Sequence, residues 1–298
     1  MATPPRPADR VWNASEVEQD EDSRRAPTAG PSRRRLWQLA GPDHFHEHLR
    51  QWGASASIEA VLHGGVRNDV RVVRIGGRRY VARQSPRAQS AIAWEVDLLL
   101  HLAMCGLRVP RPLEAKDGRL HVDGFIVLEW LDGEPPQTQR DWMEAVMTLE
   151  HVHAATRTWP QRPGFASTLD LLHKDSGGDV DLLAMPDTVA SLVRAAWKPL
   201  LGLPLSVVHG DPHAGNIRIS SEGVGLIDWD EARVDVSLLD LSDVPVDLGR
   251  RMTRESLDVI RVAGDAWEAA SSWLREPAYA TGRLRLVDAR LKQSRGNG

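Results

Sequence analysis

An aspartate, an asparagine five residues later and a second aspartate closing an apolar strand are a set that can move a phosphoryl group. They lie between Val207 and Trp229, in VVHGDPHAGNIRISSEGVGLIDW. Asp211 can orient an attacking hydroxyl and accept its proton. Asn216, reached after a turn, can offer its carbonyl oxygen to Mg2+, and Asp228 can offer a carboxylate to the same ion. Mg2+ needs few protein ligands, because phosphate oxygens and water complete its shell. The plain alternative is a turn in which Asp, Pro, Gly and Asn serve the backbone. A bare His-Gly-Asp would not displace that alternative. The full spacing from His209 to Asn216, followed by an apolar strand ending in Ile227-Asp228-Trp229, does.

Elements upstream must position this set. From Ile58 the pattern runs strand, loop, strand: Ile58–Leu62, then His63-Gly64-Gly65-Val66-Arg67-Asn68-Asp69, then the alternating run Val70–Ile75. Gly76-Gly77 predicts a hairpin turn, with Arg79–Arg83 pairing back. A helix is expected over Ser90–Gly106, followed by two strands around a Lys116-Asp117-Gly118 turn, the second ending in Phe125–Leu131. Asp132-Gly133-Glu134-Pro135-Pro136 reads as a linker. Helices follow over Arg140–Thr156, Thr188–Leu200, Arg254–Gly264 and Gly264–Leu274. The expected organisation is a disordered leader at 1–35, an N-terminal lobe at 36–131, a C-terminal lobe at 132–290 and a polar tail at 291–298.

Composition narrows the class. The chain has 298 residues, 42% of them hydrophobic, and a formal net charge of -4, which gives no basic surface for nucleic acid. Cys105 is the only cysteine, so an intrachain disulfide and a cysteine-rich zinc site are excluded. No run approaches the ~18 apolar residues of a membrane span, and the expected location is cytoplasmic. His44, His46 and His48 lie close together, but no second ligand cluster accompanies them, so they read as a solvated polar stretch.

The segments V-V-H-G-D-P-H-A-G-N-I at 207–217 and L-I-D-W-D-E-A at 226–232 resemble the aminoglycoside phosphotransferase family, also called the phosphotransferase enzyme family, within the protein-kinase-like fold. Looser similarity runs from about Ile58 to Tyr279. The resemblance implies an α+β fold of two lobes: a small antiparallel-sheet N-lobe with one helix, and a mainly helical C-lobe. It implies Asp211 as the catalytic aspartate, Asn216 and Asp228 as Mg2+ ligands, and His209 as a supporting residue of the catalytic loop.

Kinase-like folds place a lysine on the third strand, but Lys116, Lys174, Lys198 and Lys292 all lie outside the Val70–Arg83 hairpin. Arg83 takes the role of phosphate anchor by this resemblance, since a guanidinium can hold phosphate oxygens in pairs. A solvated arginine on an edge strand is the alternative. Glu95 on the following helix is its expected acidic partner, with Asp97 as the competing acid. The loop containing Gly64 and Gly65 would close over the nucleotide phosphates, though a simple hairpin turn fits it equally well. Glu129, Trp130 and Leu131 would form the hinge whose backbone meets the adenine edge.

The implied activity is transfer of the γ-phosphate of ATP, with GTP left open and Mg2+ required, to a hydroxyl of a small molecule. An aminoglycoside, an amino sugar, and a choline- or homoserine-like alcohol are the acceptor candidates. The implied protein is a monomer or homodimer with no nucleic-acid or membrane partner. A catalytically inactive kinase-like nucleotide-binding scaffold or sensor is the alternative; the intact Asp211, Asn216 and Asp228 argue against it. Six acids, Asp230, Glu231, Asp235, Asp240, Asp243 and Asp247, follow the second motif and could draw in a cationic acceptor. They fit helix capping and structural roles equally well. Trp267 and Trp273 are candidates to line a pocket, with helical core as the alternative.

Overall fold

The structure is a computed structural model that describes residues 42–62, 67–245 and 252–296. The expected leader, Gly64, Gly65 and Asp247 lie outside the described residues. The chain divides into two compact units: residues up to Arg87 with Pro112–Trp130, and Ala88–Arg111 with the residues from Leu131 onward.

The smaller unit holds α1 (Pro42–Leu49), β1 (Ser57–Leu62), β2 (Asp69–Ile75) and β3 (Arg78–Gln84). It is completed by β4 (His121–Val122) and β5 (Phe125–Glu129), giving one five-stranded sheet in the order β1-β2-β3-β5-β4. All its pairings are antiparallel. Val73, Ala82, Phe125 and Val127 turn to a core closed by Phe45, Leu49 and Trp52 of α1 and its exit. Alternation along the strands makes this possible, since every second side chain meets the same face. The β2–β3 hairpin turns at Gly76-Gly77, as its sequence predicts. The β4–β5 turn falls instead at Asp123-Gly124, both with positive φ. An Asp-Gly pair favours that tight connection because its twist matches the strands. Lys116-Asp117-Gly118 forms a separate turn, closed by Gly118 N–H donating to Ala115 O at 2.9 Å.

In the larger unit, α2 (Gln89–Met104) buries Ile92, Glu95, Leu98, Leu99 and Leu102. The helix read as part of the first lobe thus groups by its packing with the larger unit. α3 (Gln139–Ala155) starts on a capping box, in which Thr138 Oγ1 accepts Asp141 N–H and Asp141 Oδ2 accepts Thr138 N–H. The short β6 (Ser176–Gly177) and β7 (Val180–Asp181) precede α4 (Asp187–Trp197). Two antiparallel pairs carry the motif region: β8 (Leu205–Val208) pairs with β11 (Arg233–Val236), and between them in the chain β9 (Ile217–Ser220) pairs with β10 (Gly223–Leu226). The chain then forms α5 (Arg254–Ser272) and α6 (Pro277–Gly296).

The sequence suggests two helices meeting at Gly264, but α5 is continuous there and packs that residue against Ser242. The sequence pattern does not announce α6, because its arginines and leucines mix without a clear apolar stripe. Helical backbone extends through it into residues read as a polar tail. Trp197, Leu200, Ile260, Ala263, Trp267 and Val287 belong to the main core of this unit.

Candidate active site

β8 ends in Val207-Val208, both fully buried, and delivers His209, Gly210 and Asp211. The loop is held from below by Asp240. One of its oxygens accepts His209 N–H at 2.9 Å, and the other accepts Gly210 N–H at 3.0 Å. His153 Nε2 adds a third bond at 2.8 Å. Burial pushes the Asp240 carboxyl upward, but the bond and charge of His153, the charge of His209 and the Gly210 N–H outweigh it. Its pKa lies below the ordinary value. Gly210 has φ +89°, and a Cβ there would stand 2.7 Å from Glu231 O, so a side chain at this position would strain the turn.

His209 is completely buried, its ring 4.7 Å from that of Trp229. Nδ1 accepts Asp211 N–H at 3.3 Å, which puts the ring proton on Nε2, and Nε2 donates to Ile227 O at 2.9 Å. Burial lowers its pKa, against the opposing charge of Asp240. In this arrangement the neutral ring joins two backbone segments, the one leading to Asp211 and the one leading to Asp228.

Asn216, buried at the close of the 3-10 turn Ala214–Asn216, donates from Nδ2 to Asp211 O at 2.9 Å and approaches Asp211 Oδ2 at 3.3 Å. Its backbone carbonyl accepts Ile227 N–H at 2.9 Å. Ile227 is therefore pinned on both sides, by Asn216 and by His209, immediately before Asp228. Asp228 is exposed and left-handed, with φ 62°. The structure thus brings Asp211, Asn216 and the backbone leading into Asp228 together. With its amide nitrogen committed to Asp211, Asn216 has Oδ1 to offer a cation. That oxygen and the Asp228 carboxylate are hard donors of the kind Mg2+ takes, so the donor set fits the ion.

Glu95 is fully buried, and its Oε2 accepts from Arg162 Nη2 at 2.8 Å. Arg162 is a residue the sequence reading does not single out. Its Nε donates to Ala91 O at 3.1 Å, and its Nη1 lies within 2.9–3.3 Å of the carbonyls of Trp229, Asp230 and Ala232. It stands in an irregular Pro-Gln-Arg-Pro stretch with no motif around it. Only these five side-chain bonds converging in three dimensions reveal it.

Arg83, on β3, is 3% exposed, so the solvated edge-strand alternative does not hold for it. In the same unit Glu129 ends β5 opposite Tyr80, and the Arg79 guanidinium lies 5.4 Å from the Trp130 ring. Leu131 opens the other unit.

Beside the loop that carries Asp211 a cleft is lined by Gly210, Pro212, His213, Asp243, Trp267 and Glu268. Of the acids following the second motif, Asp235 and Asp240 are buried and bonded inward, Asp235 to Thr168 and Arg233. Asp243 and Glu268 border the cleft. Trp267 lines it as well, under the Arg233 guanidinium at 3.3 Å, whereas Trp273 lies elsewhere, donating to Ala184 O. The His44 and His48 rings meet at a tilt of 60° with centroids 4.5 Å apart, and His48 stacks on Phe125. Among the described residues no group of three or more His, Cys, Asp or Glu is placed to hold a metal.

The chain matches the phosphotransferase enzyme family over residues 59–279 and belongs to that family. It is 31% identical over 174 residues to a thiamine kinase of Escherichia coli, covering 57% of this chain and 60% of that protein. It is 30% identical over 201 residues to a probable ketoamine kinase of Thermus thermophilus, covering 60% of this chain and 70% of that one. The first curated relatives are thus matched over 60–62% of their own length. The solved aminoglycoside phosphotransferase APH(4)-Ia superposes with TM-score 0.60 at 17% identity, over 82% of this chain and 97% of that chain. This likeness shows the kinase-like fold. No helix of the described residues is long and apolar enough to cross a membrane.

Proposed function

We propose that the protein transfers the γ-phosphoryl group of ATP, with Mg2+, to a hydroxyl of a small molecule. The observation that carries this reading is the fastening of Asp211, Asn216 and Ile227 into one loop cluster ahead of Asp228. An acceptor oxygen attacks the γ-phosphorus, the bond from phosphorus to the β–γ bridging oxygen breaks, and the acceptor proton passes to Asp211. Asn216 and Asp228 would hold Mg2+, which when bound neutralises charge on the transferring group. Arg83, Glu129 and Trp130 are the smaller unit's proposed share of nucleotide binding, and Glu95 and Leu131 are that of the larger unit.

The acceptor is best sought among hydroxylated cations. Asp243 and Glu268 border the cleft beside Asp211, and their carboxylates would draw in a cation. Aminoglycosides, amino sugars and choline-like alcohols meet that description. Thiamine joins them through the relative named for its phosphorylation. The test is an ATP-consumption screen across these compounds and homoserine, run with and without Mg2+ and repeated with GTP. Acceptor-dependent ADP release supports the reading. Nucleotide binding with no transfer to any acceptor favours the inactive scaffold.

A further inference from the structure

We propose that His213 is a positioning residue for Asp211, steadying its carboxylate through the Nε2–H on the side of the acceptor cleft. The inference rests on the phosphotransferase reading above and adds a residue to it. His213 caps the Ala214–Asn216 turn, with Nδ1 accepting Gly215 N–H at 2.9 Å. A ring whose Nδ1 accepts carries its proton on Nε2 when neutral. Nε2 lies 3.6 Å from Asp211 Oδ2, the same oxygen that Asn216 Nδ2 approaches at 3.3 Å. The Gly215 N–H bond to Nδ1 sets the direction of the ring. A Cβ on residue 215 would stand 2.5 Å from His213 Cε1, so only a glycine leaves room for it.

A separation of 3.6 Å exceeds a hydrogen bond, but catalytic contacts often tighten only in the reacting complex. Two donors converging on Oδ2, one from each side of the turn, would set the plane of the carboxylate and so aim its lone pairs. His213 also lines the cleft with Asp243 and Glu268, so it stands where the acceptor must arrive. The turn requires only Nδ1. The Nε2 contact adds nothing to the cap and is the part that serves the reaction.

The two ring nitrogens can be separated by substitution. His213→Asn keeps an acceptor near Nδ1 for the Gly215 N–H and removes Nε2, whereas His213→Gln keeps an amide donor near Nε2 and gives up the cap. With MgATP and an acceptor from the screen, or water where none responds, His213→Asn should lower kcat by about 10²-fold, the scale of a misplaced reacting group. KM for ATP should stay within a few-fold, and His213→Gln should recover most of kcat. The opposite order, with Asn active and Gln inactive, would overturn the role and leave only the cap. Nitrogen-15 spectra at one neutral pH give a readout without turnover: the Nε2 resonance should shift in Asp211→Asn, and an unmoved resonance would also overturn the contact. A wild type inactive with every acceptor and with water would overturn the phosphotransferase reading itself, and this role with it.

Discussion

His209 donates from Nε2 to the carbonyl of Ile227 at 2.9 Å, fastening the loop that presents Asp211 to the residue preceding Asp228. Because Nδ1 accepts Asp211 N–H at the same time, the ring serves both segments only while neutral. Burial, the largest influence, lowers its pKa from the ordinary 6.5. The unfolded chain therefore takes up a proton as pH falls through about 6.5, and the folded chain does not. Stability from this group is complete above that pH and declines below it. Asp240 acts in the same direction at lower pH, since its carboxylate is held below the ordinary 3.8 and its contribution is lost on protonation. The thermal midpoint should fall between pH 7 and 5, and His209→Asn should flatten that segment of the curve while lowering the midpoint at pH 8. An unchanged slope in the variant would assign the acid sensitivity elsewhere.

Asp228 has φ 62°, a left-handed conformation that asparagine tolerates better than alanine does. Asp228→Asn should therefore fold with a midpoint within a few degrees of the wild type, while losing the carboxylate offered to Mg2+. Calorimetric titration with ATP should show that added Mg2+ no longer strengthens binding. Undiminished Mg2+ dependence in this variant would remove Asp228 from the ligand set.

Asp211→Asn preserves shape and removes the base. General-base groups contribute about 10²–10⁴-fold to rate, and turnover should fall by that factor with KM for ATP nearly unchanged. Initial rates at saturating ATP measure it. Wild-type turnover would place the base elsewhere in the loop.

The motif region was legible because its chemistry is local. Asp211, Asn216 and Asp228 are defined by spacing along two short strands, and the β2–β3 hairpin by alternation and a Gly-Gly turn. The misplaced β4–β5 turn shows the limit of such signals: Lys116-Asp117-Gly118 and Asp123-Gly124 are both good turns, and pairing with the rest of the sheet decides between them. Asp240 reads in the sequence as one of several acids equally suited to drawing in a ligand and to a structural role. Its role emerges only when β8 brings two backbone N–H groups to it from about thirty residues away. Arg162 could not be found from sequence at all, since its partners come from two distant stretches and four of the five side-chain bonds to them go to backbone carbonyls, which carry no sequence signature. α6 was hidden for a related reason, because its packing depends on side chains without a regular stripe.

Arg162 and Glu95 form an ion pair in which neither side chain has exposed surface. Breaking a buried pair of this kind costs about 3–5 kcal/mol. Arg162→Met should lose stability on that scale in urea denaturation. Adding Glu95→Gln should recover only part of it, because the carbonyls of Ala91, Trp229, Asp230 and Ala232 still lack their donor. Arg162→Lys separates charge from geometry: an ammonium can compensate Glu95, but it cannot reach carbonyls on both segments as the planar fork does. This variant should remain more stable than Arg162→Met. It should still bind MgATP more weakly than the wild type, because the residues following Asp228 lose their anchor. If Arg162→Lys matched the wild type in both urea midpoint and nucleotide affinity, charge alone would account for the site, and the bonds to the Trp229–Ala232 carbonyls would have no part in placing Asp228.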